Sequence, residues 1–200
     1  LSKSNNLNEK IPKYIKFDIV SCQMALHYHF GNEENLVTFM NNVDFRLNEN
    51  GYFICTIIDD NVIVKRLREN KEKTGELAFG NKFYSVKFSQ DKFSLKEPYG
   101  IKYGFFLEDS IDKRNMDGSI NYIEEYLIMF ENFKRICKEK YNLHLVEKCN
   151  FIDYYSKLLQ DESTRKVFSK YIKGFDKEDY QLQWEIAHLY QIVIFKKGEV

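Results

Sequence analysis

The sequence lacks the features that would place the protein in a membrane or outside the cell. No apolar run approaches the length of a membrane span and no signal peptide is visible, so we expect no membrane partner. The 30 basic residues are balanced by 30 acidic ones, so net charge neither requires nor excludes a nucleic acid. The four cysteines are scattered without a CxxC pair. We therefore expect a soluble intracellular protein with free thiols.

Common catalytic and metal-binding motifs are also missing. The motif GxSxG does not occur in this chain, which excludes the nucleophile elbow of an α/β-hydrolase. A Walker loop and GxGxxG are also missing, which excludes the phosphate-binding loops that those motifs form. His27 and His29 have no cysteine or carboxylate at zinc-like spacing, so we expect no metal site. Asp59 and Asp60 follow a predicted strand and could bind magnesium. We favour a helix N-cap with an exposed neighbour.

The composition is that of one globular unit. The residues are 44% hydrophobic and 16% aromatic, which is enough for a sizeable core. A length of 200 residues suffices for one such domain and is too short for two full ones. Residues 1–16 are expected to be a loop, as are residues 109–121. The chain opens in a polar stretch and runs straight into a strand, and we interpret it as part of a longer protein.

Apolar patterns predict an α/β fold. A short apolar run over 17–21 indicates a buried strand. Apolar residues between Leu36 and Leu47 recur at helical spacing and predict a helix, which Asn50-Gly51 is expected to end. Residues 52–58 are predicted as a second buried strand, completing a strand–helix–strand unit. Further elements are expected at 62–67 (helix), 82–88 and 101–107 (strands), 123–137 (helix), 143–148 (strand) and 189–195 (a strand that closes the sheet), with helical and loop material at 151–181.

Three hydrogen-bonding side chains follow the first predicted strand. Gln23, His27 and Tyr28 lie just beyond its carboxyl end, the edge at which open α/β sheets bind ligands. The simpler interpretation of His27 by itself is a core histidine satisfied by the backbone. This position predicts a ligand site without identifying the ligand.

Five stretches together identify a resemblance. The strings FDIVSCQMALHYHF, GYFICTIIDDN, KYGFFLEDS, IEEYLIMF and QWEIAHLYQIVIF, in this order between Phe17 and Lys196, resemble the mRNA cap (guanine-N7) methyltransferases. The resemblance implies a Rossmann-like class I S-adenosylmethionine-dependent methyltransferase fold. It also implies S-adenosyl-L-methionine as cofactor, the capped 5′ end of mRNA as substrate and a nuclear location. Other capping enzymes as partners are left open.

The resemblance implies roles for seven side chains. Gln23 would contact the cofactor, and Tyr28 would lie where cofactor and cap meet. His27 would hydrogen-bond the guanine, and Glu125, expected at the start of a helix, would accept from its ring N–H and exocyclic amine. The remaining pocket walls would be Phe105, Tyr190 and Met24, the last standing where the family usually has phenylalanine.

The implied reaction assigns no catalytic acid, base or nucleophile. Guanine N7 carries a lone pair and no proton, so positioning and electrostatics suffice. The family's glycine-rich cofactor loop has no counterpart in this sequence, so we expect a C-terminal part of a single catalytic domain that needs the cofactor-loop part for activity. Two alternatives remain: another class I methyltransferase, or an inactive cap-binding fragment.

Overall fold

The computed structural model describes residues 11–12, 14–90, 98–108, 118–171 and 177–198. In chain order the elements are β1 (Phe17–Gln23), a 3-10 helix (Leu26–Gly31), α1 (Glu33–Arg46), β2 (Leu47–Ile58), α2 (Asp60–Thr74), β3 (Ala78–Gly80), β4 (Tyr84–Phe88), β5 (Lys102–Leu107), β6 (Ile123–Tyr126), α3 (Phe130–Tyr141), β7 (Leu143–Asn150), α4 (Phe151–Leu158), α5 (Glu162–Tyr171), α6 (Lys177–Ala187) and β8 (Tyr190–Lys197). The expected α/β class is confirmed.

Two four-stranded sheets organise the fold. The large sheet has the order β1-β2-β8-β7, with β1 and β2 parallel and the other pairs antiparallel. The small sheet, β3-β4-β5-β6, is antiparallel throughout. The prediction that the last strand closes the sheet is wrong, because β8 lies between β2 and β7, where both of its edges are paired.

The predicted strand–helix–strand unit is confirmed, with a shifted boundary. β1 is not buried as predicted, because it lies at the edge of the large sheet and most of its residues are exposed. Asn32 caps α1 by accepting from the Asn35 N–H at 2.9 Å, and the helix ends at Arg46. Asn50-Gly51 does not end it, because β2 already begins at Leu47. Asn50 instead takes the left-handed conformation, with φ of 65°, inside an irregular stretch where the β1–β2 register shifts.

Two apolar clusters hold the sheets to their helices. In the first, α1 and α3 cover one face of the large sheet, on which Phe53, Cys55 and Phe195 are fully buried. The second lies between α2, the small sheet and the start of β8. Cys22, Cys55 and Cys137 are buried free thiols, as expected of the first two. Within the described ranges, no helix is long and apolar enough to span a membrane.

The predicted helix over 123–137 is wrong in its first part. Residues 123–126 form strand β6, paired with β5 so that Glu125 lies opposite Tyr103, and the helix begins only at Phe130. The apolar residues from Ile123 to Phe130 fit helical spacing, but pairing with β5 determines the local structure. Of the predicted loop at 109–121, residues 109–117 lie outside the described residues, as do residues 1–10 and 13 of the first loop.

The two aspartates after β2 have separate structural roles. Asp59 caps α2, as predicted, by accepting from the Asn61 N–H at 3.2 Å. Asp60 is not exposed as predicted, because one of its carboxylate oxygens accepts from the Phe130 N–H at 3.1 Å, a free donor at the start of α3. Burial raises the pKa of the Asp60 carboxyl, and the hydrogen bond from Phe130 opposes this only in part.

The Asp60 arrangement makes a prediction about stability. Because the raised pKa means that the folded state holds the proton more tightly, the carboxyl stabilises the fold below its unfolded pKa and this contribution is lost as pH rises through the folded pKa. Asp60→Asn keeps an acceptor for Phe130 and removes the charge. At pH 7 it should be at least as stable as the wild type in urea unfolding, with a weaker pH dependence. Asp60→Ala should lose about 1–3 kcal/mol; equal losses in both variants would contradict this.

Candidate functional site

A short 3-10 helix at the end of β1 carries two adjacent side chains that differ in exposure. Met24 makes the turn with φ of 50°, and its N–H donates to the Thr56 carbonyl at 3.1 Å. The helix then buries His27, which is 5% exposed, and leaves Tyr28 47% exposed. Met24 is itself 49% exposed. The chain thus places one buried and two open side chains at the sheet edge predicted to bind ligands.

Contacts with the small sheet fix this helix. The Gly100 N–H donates to the Phe30 carbonyl at 2.9 Å, which ties the helix to the segment before β5. Tyr126 of β6 packs over Gly31, where an added Cβ would lie 3.1 Å from the tyrosine Cζ. Glycine at position 31 therefore allows β6, and with it Glu125, to approach His27.

A buried carboxylate, an imidazole and a phenol form the centre of the site. Glu125 and His27 are 3% and 5% exposed, and His27 Nε2 lies 3.3 Å from Glu125 Oε1. The Tyr103 hydroxyl donates to Glu125 Oε2 at 2.5 Å. Although close, the imidazole and carboxylate are not aligned as a hydrogen bond, and His27 Nε2 has no hydrogen-bond partner among the described residues. Buried polar atoms in folded proteins are normally paired, so this nitrogen indicates a place for a ligand atom.

The charge of Glu125 acts on three tyrosines from different elements. Burial first, and then the Glu125 carboxylate, raises the pKa of Tyr28, Tyr103 and Tyr190. All three phenols are therefore neutral hydroxyls at physiological pH and can donate hydrogen bonds. The residues predicted from the 3-10 helix, β6 and β8 are thus brought to one place, although they lie up to 163 positions apart (190 − 27).

The predicted aromatic walls differ in exposure. Tyr190 is 9% exposed and packs against Phe151 with ring centroids 5.9 Å apart. Phe105 is 1% exposed and lies in the same apolar cluster as Tyr103 and Tyr190. The open aromatic surface at the site is therefore that of Tyr28, whose ring lies 4.1 Å from the His27 ring between centroids.

Gln23 makes its described hydrogen bonds to residues of β1 and β2 in the large sheet. Its oxygen accepts from the Thr56 hydroxyl, and its amide donates to Ser21 Oγ at 2.9 Å. The side chain is exposed, and strand-to-strand contacts hold it at the carboxyl end of β1.

Tyr103 was missed by the sequence reasoning. Alternation along KYGFFL places Tyr103 on the same strand face as Phe105, which was assigned to the pocket, and that signal was available. Its pairing with Glu125 could not be predicted, because residues 123–126 were interpreted as helix. The structure therefore adds a carboxylate partner to the candidate site.

Comparisons with known proteins identify the family that this chain resembles. The family model for the mRNA (guanine-N(7))-methyltransferase domain matches residues 2–198. The mRNA cap guanine-N(7) methyltransferase 1 of Oryza sativa subsp. japonica is 34% identical over 96% of this chain and 50% of its own length. The mRNA cap guanine-N(7) methyltransferase of Schizosaccharomyces pombe is 32% identical over 97% of this chain and 52% of its own. The chain thus spans about half the length of these relatives.

Proposed function

Because this chain belongs to the mRNA (guanine-N7)-methyltransferase family, we propose that it supplies the cap-guanine side of an enzyme that methylates N7 of the 5′ cap guanosine of mRNA. The observation that carries the proposal is the buried Glu125–His27 pair, with its 3.3 Å separation and its unpaired imidazole nitrogen. The family supplies the reaction, and the geometry indicates how these residues take part in it.

The pair complements the Watson–Crick edge of guanine. On that edge the O6 acceptor stands beside the N1–H donor, followed by the exocyclic amine. A donating His27 Nε2 meets O6, and Glu125 accepts from the two N–H groups side by side. Adenine presents an amine and an acceptor in the corresponding places, which would oppose both protein groups. The buried carboxylate therefore favours guanine.

The open face of Tyr28 supplies a surface for stacking. Single bases are commonly held by aromatic rings, and Met24 offers a polarisable, exposed side chain on the preceding turn. The neutral Tyr190 hydroxyl, whose pKa is raised first by burial and then by the Glu125 carboxylate, would be a further hydrogen-bond donor for the cap. These side chains orient the base and exclude water, while N7 lies away from the edge that Glu125 and His27 bind.

S-adenosyl-L-methionine is the proposed cofactor, and it would supply the sulfonium methyl group. Gln23 and Tyr28 would contact it from the end of β1, where their exposure leaves them accessible. N7 needs no proton removed, so this chain contributes binding and orientation without a catalytic acid or base. The glycine-rich loop that holds such a cofactor would come from a segment outside this sequence.

One uncovered sheet face supports such a further segment. Ile19 and Tyr52 are paired neighbours on the second face of the large sheet and are 57% and 39% exposed. Ile54, Ile192 and Ile194 continue this face and are only half-buried. Contiguous exposed apolar patches of this kind mark contact surfaces. We propose that this chain is the C-terminal part of one catalytic domain.

The proposed substrate is the capped 5′ end of mRNA, and the proposed location follows from where capping enzymes act. A nuclear site and cooperation with other capping enzymes are consistent with the family. Neither rests on a particular residue of this chain.

Glu125 and its neighbour provide a matched test of guanine binding. Glu125→Gln replaces one acceptor oxygen by a donor amide, so affinity for the dinucleotide GpppG should fall roughly 10- to 100-fold. Glu124→Gln is the control, because Glu124 is exposed and pairs with Lys102 at 2.9 Å on the other face of β6. Isothermal titration calorimetry measures both. Equal affinities in the two variants, each folded, would contradict the assignment of Glu125.

The uncovered face makes a second prediction. In the longer protein, Ile19→Glu should lower the free energy of unfolding by several kcal/mol, because it would bury an unpaired charge between the two parts. Val167→Glu is the control, since Val167 is 53% exposed on α5. Thermal unfolding distinguishes them. An mRNA in which an in-frame stop codon directly precedes the codon for Leu1 would contradict the proposed single domain.

A further inference from the structure

We propose that Tyr103 is a positioning residue for the guanine site: by donating its hydroxyl to Glu125 Oε2, it fixes the carboxylate so that Oε1 meets guanine N1–H and Oε2 meets the exocyclic amine. This rests on the proposed function and adds a determinant of base specificity to it. The hydroxyl-to-Oε2 distance is 2.5 Å, and Tyr103 is 2% exposed.

Packing holds the Tyr103 ring independently of the hydroxyl. The ring stacks on Phe88 at 5.4 Å between centroids, inside the cluster between α2 and the small sheet. A phenylalanine would satisfy the same packing without burying a polar atom. Packing thus explains the aromatic ring, whereas the hydroxyl is explained by the hydrogen bond that it donates to the Glu125 carboxylate.

The geometry divides the work between the two carboxylate oxygens. Oε1 lies beside His27 Nε2, at 3.3 Å, and these two atoms face the adjacent N1–H and O6 of the base. Oε2 accepts from Tyr103 and retains a second lone pair for the amine. The hydrogen bond from Tyr103 restrains the carboxylate against rotation about its terminal bond, whose torsion is otherwise broad.

Removing the hydroxyl should therefore affect recognition of the exocyclic amine more than recognition of the rest of the base. Hypoxanthine keeps O6 and N1–H but lacks that amine, so GpppG and IpppI are the two probes. The preference of the wild type for GpppG over IpppI should fall at least about fivefold in Tyr103→Phe, mainly through weaker GpppG binding.

Tyr122→Phe is the matched control. It also removes one tyrosine hydroxyl, that of the residue just before β6, whose oxygen lies 2.9 Å from the Ser85 hydroxyl oxygen of β4. The Tyr122 ring lies across Gly104, the residue that alternates with Tyr103, and so occupies the opposite face from Glu125. Its GpppG-to-IpppI preference should equal that of the wild type.

The outcomes distinguish guanine binding by the site from the positioning role of Tyr103. A wild-type protein that binds neither probe overturns the proposed function. A wild-type preference that persists unchanged in folded Tyr103→Phe overturns the role of Tyr103 alone. If Tyr103→Phe does not fold, replacement of Tyr103 by 3-fluorotyrosine keeps the ring and gives a stronger donor. The preference for GpppG should then increase, and an unchanged value would overturn the inference.

Discussion

The arrangement at the site depends on one buried carboxylate. Glu125 is 3% exposed, and a charge at that depth requires donors in fixed positions. Tyr103 supplies one from the neighbouring strand, and His27 stands beside the other oxygen with its nitrogen unpaired. Glu125 therefore brings the small sheet and the end of β1 together at one buried carboxylate. A base that donates two N–H groups to this carboxylate would offset the free-energy cost of burying it.

The two sheets contribute different parts of this geometry. The large sheet ends in the 3-10 helix, which buries His27 and exposes Tyr28, while the small sheet carries Tyr103 and Glu125 as paired neighbours. Asp60, which follows β2, accepts from the first residue of α3 and so fixes the chain shortly after the strand that holds Glu125. The uncovered face around Ile19 lies on the large sheet alone, which is where we propose that the cofactor part attaches.

Local sequence predicted the elements whose apolar period is unambiguous. Strand β1, helix α1 and the position of His27 just beyond the carboxyl end of β1 all follow from short patterns. Residues 123–126 were misassigned, because Ile123 and Tyr126 fit a helical face and the hydrogen bonds to β5 that decide the matter join distant segments. Because the pairing of β5 with β6 was not predicted, Tyr103 was also not identified as the partner of Glu125. Asp60 was taken as exposed, because its acceptor role depends on Phe130, 70 positions away.

The most direct test of the central claim is the affinity of this protein for GpppG compared with ApppA, measured by isothermal titration calorimetry at neutral pH. Because Glu125 and His27 complement the Watson–Crick edge of guanine, we expect GpppG to bind and ApppA to bind at least about tenfold more weakly. Equal affinities for the two dinucleotides, or a preference for ApppA, would contradict the account.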